Sequence, residues 1–161
     1  TVFGPKDIAD LAFWPVSGYI RYYEMVKPEE DCENFVQKTL DISLPGKISL
    51  AVNSFMNQVP LGYYAEIQKG STFISFNHKS FQELSAFMPE VKDLALKIVA
   101  AGEQDWHLKM EMCKVKCAEG YEKFLDYFGS NVTDFVEQQH IASYLGMAPE
   151  ELSRIRKIRK S

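Results

Sequence analysis

Residues Gln138–Lys157 read QQHIASYLGMAPEELSRIRK, and this stretch decides the architecture. Ile141 and Leu145, four apart, make the apolar stripe of a first helix, and Ala142 beside them is small enough to let a second helix pass close by. Gly146 supplies the positive φ that a sharp turn between helices requires. Met147 plugs the joint. Pro149 falls at the first position of the second helix, where its missing N–H costs nothing. Glu150 and Glu151 follow at that helix's positive end, and Leu152 and Ile155 pack back onto the first helix. Ile141, Ala142, Leu145, Gly146, Met147, Leu152 and Ile155 are therefore the expected core of a helix-turn-helix. The plain alternative is an ordinary αα-hairpin. Glu150, Ser153, Arg154 and Lys157 share the outer face of the second helix, where a major groove would lie.

The charge is distributed to match. The chain of 161 residues has a formal net charge of −4, which argues against a general nucleic-acid binder. Residues 149–161 nevertheless hold Arg154, Arg156, Lys157, Arg159 and Lys160 against only Glu150 and Glu151, and Arg21 is the only arginine before Arg154. Arginine suits forked recognition of phosphate and guanine. A solvated helix with a basic last turn, favoured by the helix dipole, is the competing explanation.

Upstream, residues 1–84 read as short strands and turns. Leu11–Val16 and Tyr19–Val26 flank Ser17-Gly18, Cys32–Leu40 is centred on Phe35 and Val36, and Ile48–Val52 follows the Pro45-Gly46 turn. Tyr63–Gln68 and Ser71–Phe76 flank Lys69-Gly70. This spacing predicts an antiparallel sandwich or barrel-like roll. Asn77–Ser85 reads as a short helix capped by its Asn. A longer helical pattern then runs from Glu90 to Cys117, with Val91, Leu94, Ala95, Ile98, Ala101, Leu108, Met112 and Val115 at spacings of three and four. A helix of that length lines a partner, usually a second copy of itself. Gly102 within it marks a close approach or a bend. Tyr121, Phe124, Leu125 and Phe128 make a further amphipathic helix that ends at Gly129.

The segment HIASYLGMAPEELSRIRK (His140–Lys157) resembles the C-terminal signature of the Crp/Fnr family of bacterial transcription regulators, and is closest to the short Bacteroidetes-type form that lacks the β-wing. WPVSGYIRYYEM (Trp14–Met25) resembles the family's strand–Gly–strand in the cyclic-nucleotide-binding roll, and SFMNQVPLGYYAEIQKGSTFISFNHKSFQEL (Ser54–Leu84) is similar to its later strands and following helix. The resemblance covers nearly the whole chain. It implies an α+β fold with a cyclic-nucleotide-binding-like antiparallel β-roll (jelly roll) over residues 1–89. A long dimerisation helix over 90–117 and a helix-turn-helix domain without a complete wing over 118–161 would follow. It also implies a homodimer, joined through the 90–117 helix, on a palindromic double-stranded DNA operator with half-sites about 34 Å apart. Glu150 and Arg154 fall on the family's base-reading positions, with Ser153 and Lys157 alongside. Arg156, Arg159 and Lys160 are the expected phosphate contacts.

The sequence also departs from the family. Members that bind cyclic AMP carry a Gly-Glu pair and then an Arg in the roll, but Pro45–Gln68 holds no arginine and no Glu before Glu66. Lys47 is a poor substitute for a planar guanidinium, so binding of cyclic AMP is not expected and the effector is left unassigned. Ala148 stands where a capping Ser or Thr is usual before the second helix. There is no N-terminal cysteine cluster for iron–sulfur sensing. Cys113 and Cys117, spaced four apart with His107 upstream, would share one helical face, but packing thiols are the simpler reading. His78, His107 and His140 stand in three separate segments, without the clustered ligands of a metal-dependent cupin, and no nucleophile motif or phosphate-binding glycine loop is present.

The expectation is accordingly a non-enzymatic regulator with a degenerate sensor roll, without cofactor or metal. Its rival is a ligand-sensing or protein-interaction module that kept the fold and lost DNA binding. Three sparse cysteines, no signal peptide and no membrane-spanning apolar run point to the cytoplasm. The chain opens at Thr1 without an initiator Met, so an N-terminal piece is expected to be missing.

Overall fold

A computed structural model describes residues 1–27 and 34–159. Cys32, the opening of the Cys32–Leu40 strand, and Lys160 lie outside the described residues. The order of elements is β1 (Leu11–Ser17), β2 (Ile20–Val26), β3 (Val36–Ser43), α1 (Val52–Asn57), β4 (Tyr64–Ile67), β5 (Thr72–Asn77), α2 (His78–Phe87), α3 (Glu90–Lys114), α4 (Cys117–Phe128), a 3-10 turn (Ser130–Asp134), α5 (Gln138–Tyr144) and α6 (Pro149–Arg159). This is the α+β arrangement expected from the sequence, with antiparallel strands first and helices after.

The strands form two small antiparallel sheets, β1–β5 and β3–β2–β4. β1 and β2 are consecutive but do not pair. The turn at Gly18 (φ +77°) carries the chain from one sheet to the other, and the Lys69-Gly70 turn makes the reverse crossing from β4 to β5. The two corners touch: a Cβ placed on Gly18 would lie 2.0 Å from Ser71 Oγ. Only glycine tolerates both that φ and that neighbour. Phe13, Ile20, Tyr22 and Ala65 fill the space between the sheets, with Phe3, Leu40, Tyr63 and Phe73 packed around them. Arg21 is buried at 2% exposure, bonded to Glu66 (2.5 and 3.1 Å) and Gln37 (2.5 Å), with its guanidinium 4.3 Å from the Tyr23 ring centroid.

Two expectations are corrected. Ile48–Val52 is not a strand. Ser49 makes one bridge to Phe13, with both backbone bonds at 2.8 Å, and Val52 already begins α1. The helix wins because it buries Phe55 among Phe76, His78 and Phe81 and lets Ser54 Oγ accept from Ala9 N and donate to Val59 O. The helix expected over Glu90–Cys117 ends at Lys114. Gly120 at the start of α4 sits directly over the end of α3, where a Cβ would lie 2.4 Å from the Met112 carbonyl oxygen. That close crossing turns the chain at Val115–Lys116. Cys113 and Cys117 thus belong to different helices, and both residues are exposed, with Cys113 Sγ 3.5 Å from Tyr144 O.

The short helix after β5 is capped as expected: Asn77 Oδ1 accepts from Ser80 N at 2.8 Å. α3 runs 25 residues with Met112 as its buried residue, and leaves Leu94, Leu96 and Trp106 more than half exposed. A Cβ on Gly102 would meet no other element within 4 Å among the described residues, so the close approach expected there is not made within the chain. The largest hydrophobic cluster gathers α4, α5 and α6 around Phe124, Leu125, Ile141, Ala142 and Leu152. It also takes in Tyr19 and Ile42 from the roll. Among the described residues no helix is long and apolar enough to cross a membrane.

Candidate nucleic-acid interface

α5 closes through its turn in a Schellman arrangement. Met147 N–H donates to Ala142 O (3.0 Å) and Gly146 N–H to Ser143 O (3.2 Å), with Gly146 at φ +69°. This geometry satisfies the last carbonyls of α5 and redirects the chain at once into α6, which begins at Pro149. Ile141, Ala142 and Leu152 are fully buried where α5 and α6 meet. Leu145 and Ile155 are nearly so, and Met147 packs against the same cluster.

Gln138 ties the two helices together from outside. Its Nε2 donates to Pro149 O and its Oε1 accepts from Arg156 Nη1, both at 3.2 Å. Nothing in the hydrophobic spacing marks Gln138 for this task; its one sequence signal is a polar amide at the first position of α5.

On the outward face of α6, Glu150, Arg154 and Lys157 are exposed and Ser153 is half-buried. They recur at i, i+3, i+4 and i+7, the spacing of one helical face. Arg154 is paired back to Glu151 Oε2 at 2.5 Å. The pair is 70% exposed at the arginine, so it is weak enough to exchange for another anion. Arg156 and Arg159 are already engaged within the chain. Arg156 reaches Gln138, Arg159 Nε meets Glu122 Oε1 of α4 at 3.0 Å, and the two arginines line a cleft with Tyr121 and Thr133.

The helical part of the chain is held against the roll by four side chains, Ser143, Lys109, Tyr19 and Gln68, that sequence reasoning missed. Ser143 Oγ accepts from Thr39 N (2.8 Å) and donates to Gln37 O (3.2 Å). Lys109 Nζ donates to Thr39 O at 3.1 Å and to Leu40 O, and lies 4.3 Å from the Tyr144 ring centroid. Burial pushes this amine below the ordinary lysine value, while nearby Asp41 acts in the opposite direction. Tyr19 Oη and His140 Nδ1 are 3.1 Å apart, and Gln68 Nε2 donates to Phe135 O at 3.0 Å.

Comparison with known proteins identifies the fold. No family model and no curated relative matches the sequence. Solved structures do match over nearly its full length. FixK2 from Bradyrhizobium japonicum superposes with a TM-score of 0.75 at 15% identity, over 97% of this chain and 77% of that one. A CRP-family transcriptional regulator from Thermus thermophilus gives 0.71 at 14% identity, over 99% and 80%. The c-di-GMP-responsive global regulator CLP of Xanthomonas campestris gives 0.66 at 15% identity, over 99% and 81%. The chain has the fold of Crp/Fnr-type regulators: a cyclic-nucleotide-binding-like roll, a long helix and a C-terminal helix-turn-helix.

Proposed function

We propose that this chain is a dimeric, sequence-specific DNA-binding regulator of transcription. The observation that carries the reading is the face of α6. It presents Glu150, Arg154 and Lys157 at the surface, on a helix-turn-helix whose core is fully packed. Glu150 and Arg154 would read base edges, with Ser153 and Lys157 beside them. A forked guanidinium fits the paired acceptors of guanine, and a carboxylate accepts from the cytosine amine. Arg156 and Arg159 reach phosphates only by giving up Gln138 and Glu122, so their first role is to brace α6. Lys160, the next basic residue in the sequence, would be a further phosphate contact.

Dimerisation through α3 is supported by the apolar surface that helix leaves uncovered. Leu96, Val99 and Trp106, on one side of the helix, are 37–68% exposed, a pattern that suits a second copy of the same helix better than water. Two α6 helices would then meet one face of DNA about one turn apart.

The roll would not take a cyclic nucleotide by the family's route. Lys47 is held by Asp105 at 2.8 Å and by the Tyr127 hydroxyl, Glu66 is held by Arg21, and aromatic rings fill the space between the sheets. A buried phosphate would find no partner there. The regulator would work in the cytoplasm and without catalysis.

Selection of duplexes from a random pool by the purified protein at physiological salt tests the reading. A recovered palindrome whose preference at one base pair per half-site relaxes in Arg154→Ala, with a loss of about 1–3 kcal/mol, supports it. Salt-sensitive retention with no motif overturns it and leaves an interaction module with a structural helix pair.

A further inference from the structure

β3 is an edge strand. It pairs with β2 on one side, and its other side would present unpaired N–H and C=O groups, the template on which foreign strands add. In this protein α5 and α3 cover that side with side chains. The Ser143 hydroxyl accepts from the N–H of Thr39 and donates to the C=O of Gln37. A residue of a parallel strand lying opposite Lys38 would make that same pair of bonds with its backbone.

The next two carbonyls are taken by Lys109. The register of β3 against β2 slips between Tyr22 and Tyr23, which face Asp41 and Thr39 and leave Leu40 without a partner. A bulge of this kind turns successive carbonyls the same way. Thr39 O and Leu40 O both accept from the Lys109 ammonium, which also lies 4.3 Å from the Tyr144 ring centroid. Gln37, Thr39 and Leu40 of the roll are thereby tied to Ser143 and Tyr144 of α5 and to Lys109 of α3.

We propose that Ser143 and Lys109 are positioning residues that fix the pose of the helix-turn-helix on the roll by standing in for the missing neighbour strand of β3. Neither touches DNA. Their effect passes through α5, whose Ala142, Ser143 and Tyr144 precede the turn into α6 without a flexible joint. In a dimer, this docking sets the distance between the two α6 helices. The docking itself stands on the bonds just described, while its bearing on operator geometry rests on the DNA-binding reading above.

The test therefore has two arms. In the first, spin labels at Lys69→Cys and Ala148→Cys, with the native cysteines replaced by serine, report the distance between the roll and the start of α6. Labelled protein is diluted with unlabelled to isolate one protomer. The parent should give one narrow distance distribution, and Ser143→Ala with Lys109→Met a distribution broadened at least twofold, while circular dichroism stays unchanged. Equal widths overturn the proposal. If the double variant does not fold, Ser143→Ala alone is measured by the same criterion.

In the second arm, the selected operator is lengthened by two base pairs between its half-sites. The parent should lose at least tenfold in affinity, and the variant should lose less than a third as much while keeping the same half-site preference. An undiminished spacing penalty overturns the proposal. If the parent selects no operator, the DNA-binding reading fails, and the distance arm decides the docking by itself.

Discussion

Tyr19 Oη lies 3.1 Å from His140 Nδ1, joining the residue just before β2 to the helix-turn-helix across 121 positions of sequence. The two rings meet in a T-shaped arrangement, with 68° between their planes and a centroid distance of 6.4 Å. Around the imidazole stand Arg21, Glu66 and Glu137. Burial lowers its pKa from the ordinary value of 6.5, Arg21 lowers it further, and the two glutamates only partly oppose them. The junction between roll and helix-turn-helix therefore favours a neutral histidine.

A histidine whose folded pKa is depressed binds fewer protons folded than unfolded once the pH drops through 6.5, so stability falls on acidification. The urea midpoint of the parent should decline from about pH 7 to about pH 5, and His140→Gln should flatten that limb. A decline of equal slope in the variant would assign the acid sensitivity elsewhere.

Gly146 and Gly18 both sit at positive φ, but in different surroundings. A Cβ at Gly146 meets nothing within 4 Å, so Gly146→Ala should lose only the conformational term of about 1–2 kcal/mol. Gly18→Ala adds the 2.0 Å clash with Ser71 Oγ and should lose more. Thermal midpoints should rank the parent above Gly146→Ala and that above Gly18→Ala. The double change Gly18→Ala with Ser71→Gly should recover part of the second loss.

Leu96 and Trp106 are 68% and 57% exposed on α3. Leu96→Glu and Trp106→Glu should shift sedimentation equilibrium from dimer towards monomer by at least tenfold in dissociation constant, with the helical signal retained. Association unchanged in both would move the dimer contact off this helix.

Arg154 and Arg159 separate reading from bracing. Arg154→Ala should alter base preference with little change in stability, because its pair with Glu151 is exposed. Arg159→Ala removes the contact with Glu122, and should weaken DNA binding evenly across sequences without altering which sequence is selected. Selection and binding assays on the two variants in parallel check the distinction.

The parts of this fold marked by local chemistry were legible in the sequence. Gly146 and Pro149 announced the turn and the start of α6, Asn77 the cap of α2, and Gly18 and Gly70 the corners between strands. Two features were hidden. α1 forms because Phe55 buries itself among rings of β5 and α2, a tertiary gain that outweighs the strand preference of Ile48 and Val52. The break after Lys114 carries no proline or glycine of its own; the residue that permits it, Gly120, lies six positions later.

The outward face of α6 followed from helical periodicity alone. The docking of Ser143 on Gln37 and Thr39 did not, because hydrogen bonds between residues more than 100 positions apart leave no periodic trace. Arg159, read as a phosphate ligand from its charge, has its carboxylate partner on a separate helix.

The cluster that unites Tyr19 and Ile42 with Phe124, Ile141 and Leu152 has a bearing on how the chain can be re-engineered. A cut after residue 117 would strip Tyr19 and Ile42 of their cover on one fragment and leave the other with a bare apolar flank. The roll is therefore not an exchangeable cassette. Grafting another roll onto these helices would have to recreate both side chains and the edge of β3 before the hybrid melted as a single unit.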